Sequence, residues 1–299
     1  MDWLSGMQQA LNYIEEHITE KLDYGDIAAQ AYSSSFHFQR VFGILYNCTL
    51  GEYIRNRRLS LAGLELQSEG AKVIDVALKY GYGSPDSFAK AFQKFHGITP
   101  SQARGNGAVL KSYSRLSINF SVEGGHFMDY RIERTEEFTL VGYKRRFKGS
   151  PANRQGQVHC FYMDTRLNQY ALDGMAQDCV TTHNVMTNFD DDGYDFYIAK
   201  KMSPADWEMY AEALEEDAER FELITVPAGL YLICETQRCQ WPVCYDEDLR
   251  KKAVTEWLPS SGYELTDAPE LLIYHWFRTN DERKHQRYNE IWLPIVKRT

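Results

Sequence analysis

Cysteine is scarce: the 299 residues hold six, none in a C-x-x-C pair, so the chain is not built on a disulfide framework. Cys234, Cys239 and Cys244 recur every five residues, but that spacing matches no common zinc pattern and no nearby histidine completes it. No metal or other cofactor is expected, and the thiols read as reduced small hydrophobes. Long apolar runs are missing too: the longest, such as 271–274, fall far short of the ~20 residues that span a bilayer, so no membrane partner is expected. The first residues, Met1-Asp2-Trp3-Leu4, lack the basic segment and apolar core of a secretory signal, so a cytoplasmic location is expected. There is no surplus of positive charge either. A net charge of −9 excludes a protein coated in basic residues for bulk nucleic-acid binding.

The charge is unevenly spread. Residues 1–110 carry 10 Lys+Arg against 11 Asp+Glu, leaving 23 against 31 for residues 111–299. At about 150 residues per domain the length suggests two cores. The first part is read as residues 1–108 and the second as 112–299, separated by Gly105-Asn106-Gly107 and a serine-rich stretch running to Gly124-Gly125.

In the first part Leu4, Met7, Leu11, Ile14 and Ile18 recur at steps of three or four and share one face of a helix of about fifteen residues. Asp23 and Asp26 open a short helix through Ile27-Ala28-Ala29, which Tyr32-Ser33-Ser34-Ser35 interrupts. A further helix runs to about Tyr46, with Phe38, Val41, Phe42 and Leu45 on one stripe and Phe36, Gln39, Arg40 and Gly43 on the other, facing water or a groove. The pattern returns some fifty residues later: Asp75-Val76-Ala77 echoes Asp26-Ile27-Ala28, and Phe88, Ala91, Phe92, Phe95 echo Phe38, Val41, Phe42, Leu45. Ser84-Pro85 begins the second long helix as a cap followed by proline at its first position. Arg40 then corresponds to Lys90, and both are cations on the outward face of the second helix of a helix-turn-helix pair, where side chains reach base edges and phosphates. A helix from Leu50 to about Glu69, carrying Arg55, Arg57 and Arg58 near its start, would hold the two readers roughly 25–30 Å apart. A single helix pair is more often plain packing; repetition with equivalent cations is what points to duplex DNA.

These motifs resemble the DNA-binding domain of the AraC/XylS family over about residues 5–104, notably Phe38-Gln39-Arg40-Val41-Phe42, Tyr53-Ile54-Arg55-x-Arg57-Arg58-Leu59, Gly81-Tyr82-x-Ser84 and Gly97-Ile98-Thr99-Pro100-Ser101-x-x-Arg104. The resemblance implies an all-α double helix-turn-helix fold. It places Phe36, Gln39 and Arg40 on the first reading helix, and Asp86, Ser87 and Lys90 with Lys94 on the second, against bases or backbone. Arg55, Arg57 and Arg58 are expected on phosphates. Asp86 repels phosphate unless it accepts from a cytosine amino group.

From Met128 the periodicity changes. Strands are expected around Tyr130–Tyr143, a helix within 153–173, and strands within 179–202. A second round follows with a helix at 204–219, strands across 223–236, a helix near 246–258, and strands at 271–277 and 289–297. Two similar α+β halves are implied. Thr225-Val226-Pro227-Ala228-Gly229-x-Tyr231, Glu256-Trp257-Leu258-Pro259-Ser260-Ser261-Gly262-Tyr263 and Asn289-Glu290-Ile291-Trp292-Leu293-Pro294-Ile295 resemble the GyrI-like effector-binding domain. Its pairing with an AraC-type domain is the architecture of Rob-like regulators. Many such domains hold lipophilic cations between aromatic faces, opposite a buried glutamate two residues before the tyrosine equivalent to Tyr274. Here that position is Leu272, with Glu270 two residues earlier. The resemblance thus implies a small-molecule site among Tyr231, Trp241, Trp257, Tyr274, Trp276 and Trp292. Glu235, Glu270 or Glu290 supplies the carboxylate, unless the ligand is neutral or there is none.

The expected function is a transcription regulator that binds double-stranded DNA and responds to an aromatic or lipophilic effector, with RNA polymerase as a further partner. Two alternatives stand: a protein-interaction module without ligand, and a small-molecule hydrolase. Fusion to a DNA reader argues against the hydrolase, because regulation needs binding and not turnover. The acidic run Asp190-Asp191-Asp192-Gly193 lacks the spacing of a calcium loop and reads as a turn.

Overall fold

The computed structural model describes residues 3–105, 107–116, 129–149, 154–241, 246–277 and 282–298. Gly124-Gly125, Met128, Cys244 and Tyr245 lie outside them. By its contacts the chain forms two units, residues 1–39 with 50–123, and residues 40–49 with 124–299.

Among the described residues seven helices lie between Trp3 and Ala103: α1 Trp3–Glu16, α2 Tyr24–Gln30, α3 Ser35–Tyr46, α4 Leu50–Leu66, α5 Val73–Lys79, α6 Pro85–His96 and α7 Pro100–Ala103. The division between the units falls inside α3, after Gln39. Met7, Ala10, Leu11 and Ile14 form the buried stripe of α1, as their spacing predicts. Asp23 caps α2, accepting from the Gly25 and Asp26 amides. Ser84 caps α6 by accepting from Ser87 N, Pro85 follows at the first turn, and Gly97 closes the helix in the left-handed region at φ 85°. Around α4, α5 and α6 a core of Leu59, Ala62, Leu66, Val76, Ala77, Phe88 and Phe92 is sealed by Ala103 of α7.

Among the described residues of the second unit nine strands form one antiparallel sheet: β1 Tyr130–Thr135, β2 Phe138–Lys148, β3 Thr181–Thr187, β4 Gly193–Lys201, β5 Glu222–Val226, β6 Gly229–Glu235, β7 Tyr263–Leu265, β8 Glu270–His275 and β9 Tyr288–Lys297. Their order is β1-β6-β9-β8-β3-β4-β2-β5, with β7 beside β9. β2, β3 and β4 are the counterparts of β6, β8 and β9, so the two predicted halves are present, joined through the β3–β8 pair. β5 lies at the end of the sheet opposite β1-β6, yet Val226 of β5 shares a cluster with Tyr231 of β6. The sheet is therefore curled into a half-barrel.

Period-two alternation gives the curl two chemically distinct faces. The outer face carries Val141, Tyr143, Phe147, Met186, Phe196 and Ile198 and is covered by the helices α8 Gln155–Asp164, α9 Arg166–Ala176 and α10 Pro204–Leu214. The inner face gathers Leu140, Val185, Tyr197, Val226, Tyr231, Ile233, Leu271 and Ile273, with Phe138 and Trp292 at its margin. The helix expected within 153–173 is two helices, because the chain leaves helical dihedrals at Thr165. The helix expected near 246–258 runs as α11 Asp246–Lys252, a π-turn Ala253–Trp257 and α12 Leu258–Ser261. The short β7 was not expected. The acidic run is a turn: Asp190 accepts from the amides of Asp192 and Gly193, and Arg146 pairs with it.

Candidate functional site

Within α6, Asp86, Ser87, Lys90 and Lys94 are all exposed while Phe88 and Phe92 are fully buried, so the predicted outward stripe exists. Ser87 is partly committed: its hydroxyl donates to Ser84 O, tightening the first turn. On α4, Arg55 is exposed, but its neighbours are held inside the unit. Arg57 donates from Nε to Glu15 Oε1 at 2.8 Å and from Nη2 to Oε2 at 2.6 Å, and reaches the Tyr113 carbonyl at 2.5 Å. Arg58 donates to the carbonyls of Ile18 and Glu20 at 2.7 and 2.6 Å. These donors tie α4 to α1 and to the strap around Tyr113, and both side chains remain partly exposed beside the expected phosphate face. Helical period shows which face a residue shares but not what packs on it.

The first reading helix departs further from expectation. Phe36 and Gln39 are half-buried, the Gln39 amide donating to Ser35 Oγ. Arg40, predicted to be outward, retains 8% of its exposure, and Gly43 is buried. In the second unit, to which Arg40 belongs by contact, its Nη2 donates to Glu270 Oε2, and its guanidinium lies 3.4 Å from the centre of the Phe189 ring. Glu270 is fully buried at the start of β8, on the outer face with Met186, and Arg250 of α11 grips it in fork geometry through both carboxylate oxygens. Burial pushes the Glu270 carboxyl up, but Arg250 and Arg40 outweigh it and hold the group below its ordinary range. Desolvation lowers Arg40 to about 10, against the attraction of Glu270, which leaves it protonated at neutral pH. One carboxylate thus serves two guanidinium groups, and Tyr194, whose hydroxyl has no partner among the described residues, stacks on Phe189 at 5.4 Å.

The nine residues expected to hold a ligand do not converge. Tyr231, Glu235, Glu290 and Trp292 share the inner face of β6 and β9, where register sets Glu235 opposite Glu290 and Ile233 opposite Trp292. Glu270 and Tyr274 point to the other face of β8. Trp276 stacks on Tyr274 at 5.2 Å, Trp241 is 60% exposed, and Trp257 packs between Tyr130 and Tyr263. Convergence fails because a strand sends odd and even positions to opposite sides.

Arg131 of β1, which the sequence reading missed, organises the carboxylates. It donates to Glu290 at 2.9 Å, to Glu235 at 2.6 Å and to Glu133 at 3.2 Å. Its only sequence signal is alternation with Glu133 along a strand. Burial pushes Glu290 up, yet the His275 ring 3.8 Å away, the Trp292 indole donating at 2.9 Å and Arg131 together bring it down to about 2. Beside this network opens a cavity of about 520 Å³ lined by Asp129, Tyr130, Arg131, Glu235 and Arg238 among others. Arg238 stacks over Tyr288 at 4.0 Å, and Tyr288 over His275 at 4.1 Å. Tyr231 Oη, His183 Nδ1 and Thr135 Oγ1 are buried without hydrogen-bond partners among the described residues.

A double helix-turn-helix region followed by a curled α+β sheet is the fold of a two-part regulator. A helix-turn-helix domain model matches residues 27–106, and the model of the integron-associated effector binding proteins matches residues 131–295. The chain therefore belongs to the AraC-type transcription regulators that carry a GyrI-like effector-binding domain. It is 44% identical over 98 residues to the HTH-type transcriptional activator AarP of Providencia stuartii, spanning 33% of this chain and 73% of that protein. It is 28% identical over 152 residues to the right origin-binding protein of Escherichia coli K12, spanning 50% and 51% of the two chains. A structure of SAV2435 bound to tetraphenylphosphonium superposes at TM-score 0.40 and 20% identity, over 56% of this chain and 94% of that one. Among the described residues no helix is long and apolar enough to cross a membrane.

Proposed function

We propose that this regulator senses a lipophilic cation at the cavity beside β1 and β6, and that occupancy of this site changes its action on DNA. The observation that carries the reading is Arg131, a guanidinium set among Glu133, Glu235 and Glu290 at the wall of a cavity of about 520 Å³, a volume within the range that encloses drug-sized ligands. Asp129 and Glu235 balance Arg131 and Arg238 in the lining, Glu133 and Glu290 paired with Arg131 add negative charge beside it, and Tyr130 offers a ring face to a cation. A cationic effector enters by competing with Arg131 for the carboxylates.

On the DNA side, Asp86, Lys90 and Lys94 of α6, Arg55 of α4, and Phe36, Gln39 and Arg40 of α3 are the proposed contacts, with Ser87 limited to its first-turn role. The well-packed interior of the curl supports a second reading, in which the second unit meets a protein partner and no small molecule.

The test is the thermal unfolding midpoint of the full chain against a panel of lipophilic cations, neutral aromatics and amphipathic acids, since a ligand that selects the folded state raises it. A concentration-dependent rise with cations that is lost in Glu235→Gln supports the cation site. A rise with neutral aromatics alone overturns the charge assignment. Absence of any rise favours the protein-partner reading.

A further inference from the structure

Glu270, Arg250, Phe189 and Tyr194 have no role in the cavity just described, yet they form the most deeply buried charged cluster among the described residues. Glu270 is fully buried and Arg250 nearly so. Arg250 already satisfies both oxygens of Glu270, so the carboxylate is neutralised before Arg40 arrives. Arg40 is a second cation on a single anion, and Arg154, buried as well, adds a third positive charge nearby. Packing alone does not call for such an arrangement, because an apolar residue would fill the place without the desolvation of a guanidinium. What the cluster offers is recognition: a carboxylate oxygen that accepts from the guanidinium and an aromatic ring whose centre lies 3.4 Å from it, the two groups that bind a planar cation best.

We infer that Glu270 and Phe189 form a guanidinium-binding site whose occupant is Arg40, and that this occupancy withholds Arg40 from DNA. The inference rests on the reading of α3 as a DNA-reading helix. One guanidinium cannot grip Glu270 and a guanine edge together, so the two engagements exclude one another. The extra positive charge in the cluster keeps the hold weak enough to reverse, and the neutral Arg250–Glu270 pair remains when Arg40 leaves. The same position of the second repeat holds Lys90, exposed and lacking the planar group that such a site takes.

The experiment is a double-mutant cycle on DNA affinity, using the full chain and a duplex that this chain itself selects from a random-sequence pool. Phe189→Leu removes the ring beneath the guanidinium but keeps the buried charges balanced, and Glu270→Gln removes the acceptor. Each is measured with Arg40 present and with Arg40→Ala. The expected result is tighter binding by on the order of tenfold for Phe189→Leu and Glu270→Gln, the factor for a side chain free in one molecule in ten, with no gain once Arg40 is alanine. Glu270→Gln leaves Arg250 without its carboxylate and is open to misfolding, in which case Phe189→Leu decides alone. Unchanged affinity in Phe189→Leu overturns the withholding. If Arg40→Ala then weakens binding, the reading of Arg40 as a DNA contact stands by itself. A gain of equal size with and without Arg40 overturns the inference, because the effect would not pass through its guanidinium. If Arg40→Ala alone tightens binding as much as Phe189→Leu and the two together tighten it no further, the anchoring is real and the assignment of Arg40 as a base or phosphate contact is the part that fails.

Discussion

The two helix-turn-helix repeats are built from helices of identical length, 7 and 12 residues in each, yet they present different chemistry. In the second, a serine cap and proline start α6, the turn before it passes through Gly81 at φ 83°, and Lys90 is exposed. In the first, the position equivalent to Gly81 is Tyr32, held at φ 51°, and Arg40 is buried against a carboxylate. The last residue of the reading helix also differs, Tyr46 against His96. A repeat in sequence therefore reproduces the helices and their inward stripes. What meets the outward stripe is decided by residues far away in the chain.

The strongest check on that view concerns the inward stripes. Phe42 and Phe92 are equivalent and both have no exposure, so Phe42→Ala and Phe92→Ala should each lower unfolding free energy by about 3–5 kcal/mol in denaturant titrations. A large disparity between them would break the equivalence of the two cores. Next is Arg57→Ala, which strips Glu15 of its cation at a place where the two side chains keep 12% and 10% exposure. About 2 kcal/mol of stability should be lost, while the slope of DNA affinity against salt stays unchanged; a shallower slope would return Arg57 to the phosphates.

Smaller effects separate the repeats directly. Lys90→Ala should leave stability alone and weaken DNA binding by about 1 kcal/mol, roughly fivefold. A loss of stability with DNA affinity intact would show Lys90 to be structural like Arg57. Tyr32 is 74% exposed, so its ring adds little packing, and Tyr32→Gly should raise the melting temperature by relieving about 1 kcal/mol of left-handed strain. No gain would mean the ring has a role in the turn.

The smallest expected effect is a dependence on pH. Burial lowers the pKa of His96, whose Nε2 faces the Leu59 carbonyl at 3.0 Å. A histidine with a depressed folded pKa stabilises above its unfolded value near 6.5, and that contribution fades as acidification goes below it. Unfolding midpoints of the first unit should fall as pH drops from 7 toward 5, and His96→Phe should flatten the trend. A profile as steep in the variant as in the native chain would assign the acid sensitivity elsewhere. Gly63 is part of the same arrangement, because a Cβ there would sit 2.8 Å from His96 Cε1.

Much of this was legible in the sequence. Period-3.6 stripes placed α1, α3 and α6, and the serine-proline start of α6 was found at the correct residues. Alternation gave the strands between Tyr130 and Lys297 apart from the short β7. Three kinds of fact were not legible. Arg57 and Arg58 look like exposed cations until Glu15 and the carbonyls of Ile18 and Glu20 are brought to them by folding. Glu270 and Glu290 lie on adjacent paired strands but on opposite faces, and only the register fixes which one shares a face with Arg131. The partner of Arg40 is 230 positions away, a separation over which no local pattern operates.

The exchange of first strands between the two halves of the sheet bears on how this protein is made. β1 pairs with β6, and β5 pairs with β2, so each half completes itself with a strand of the other. On the ribosome Tyr130 must wait until Cys234 has been synthesised before its pairing can form, whereas the helices before it need only local contacts. The reading helices are thus made before the sheet exists. A truncated or stalled product would carry the proposed DNA-contacting residues with neither the cavity nor Glu270 in place, and under the proposed function it would act on promoters without regard to any signal.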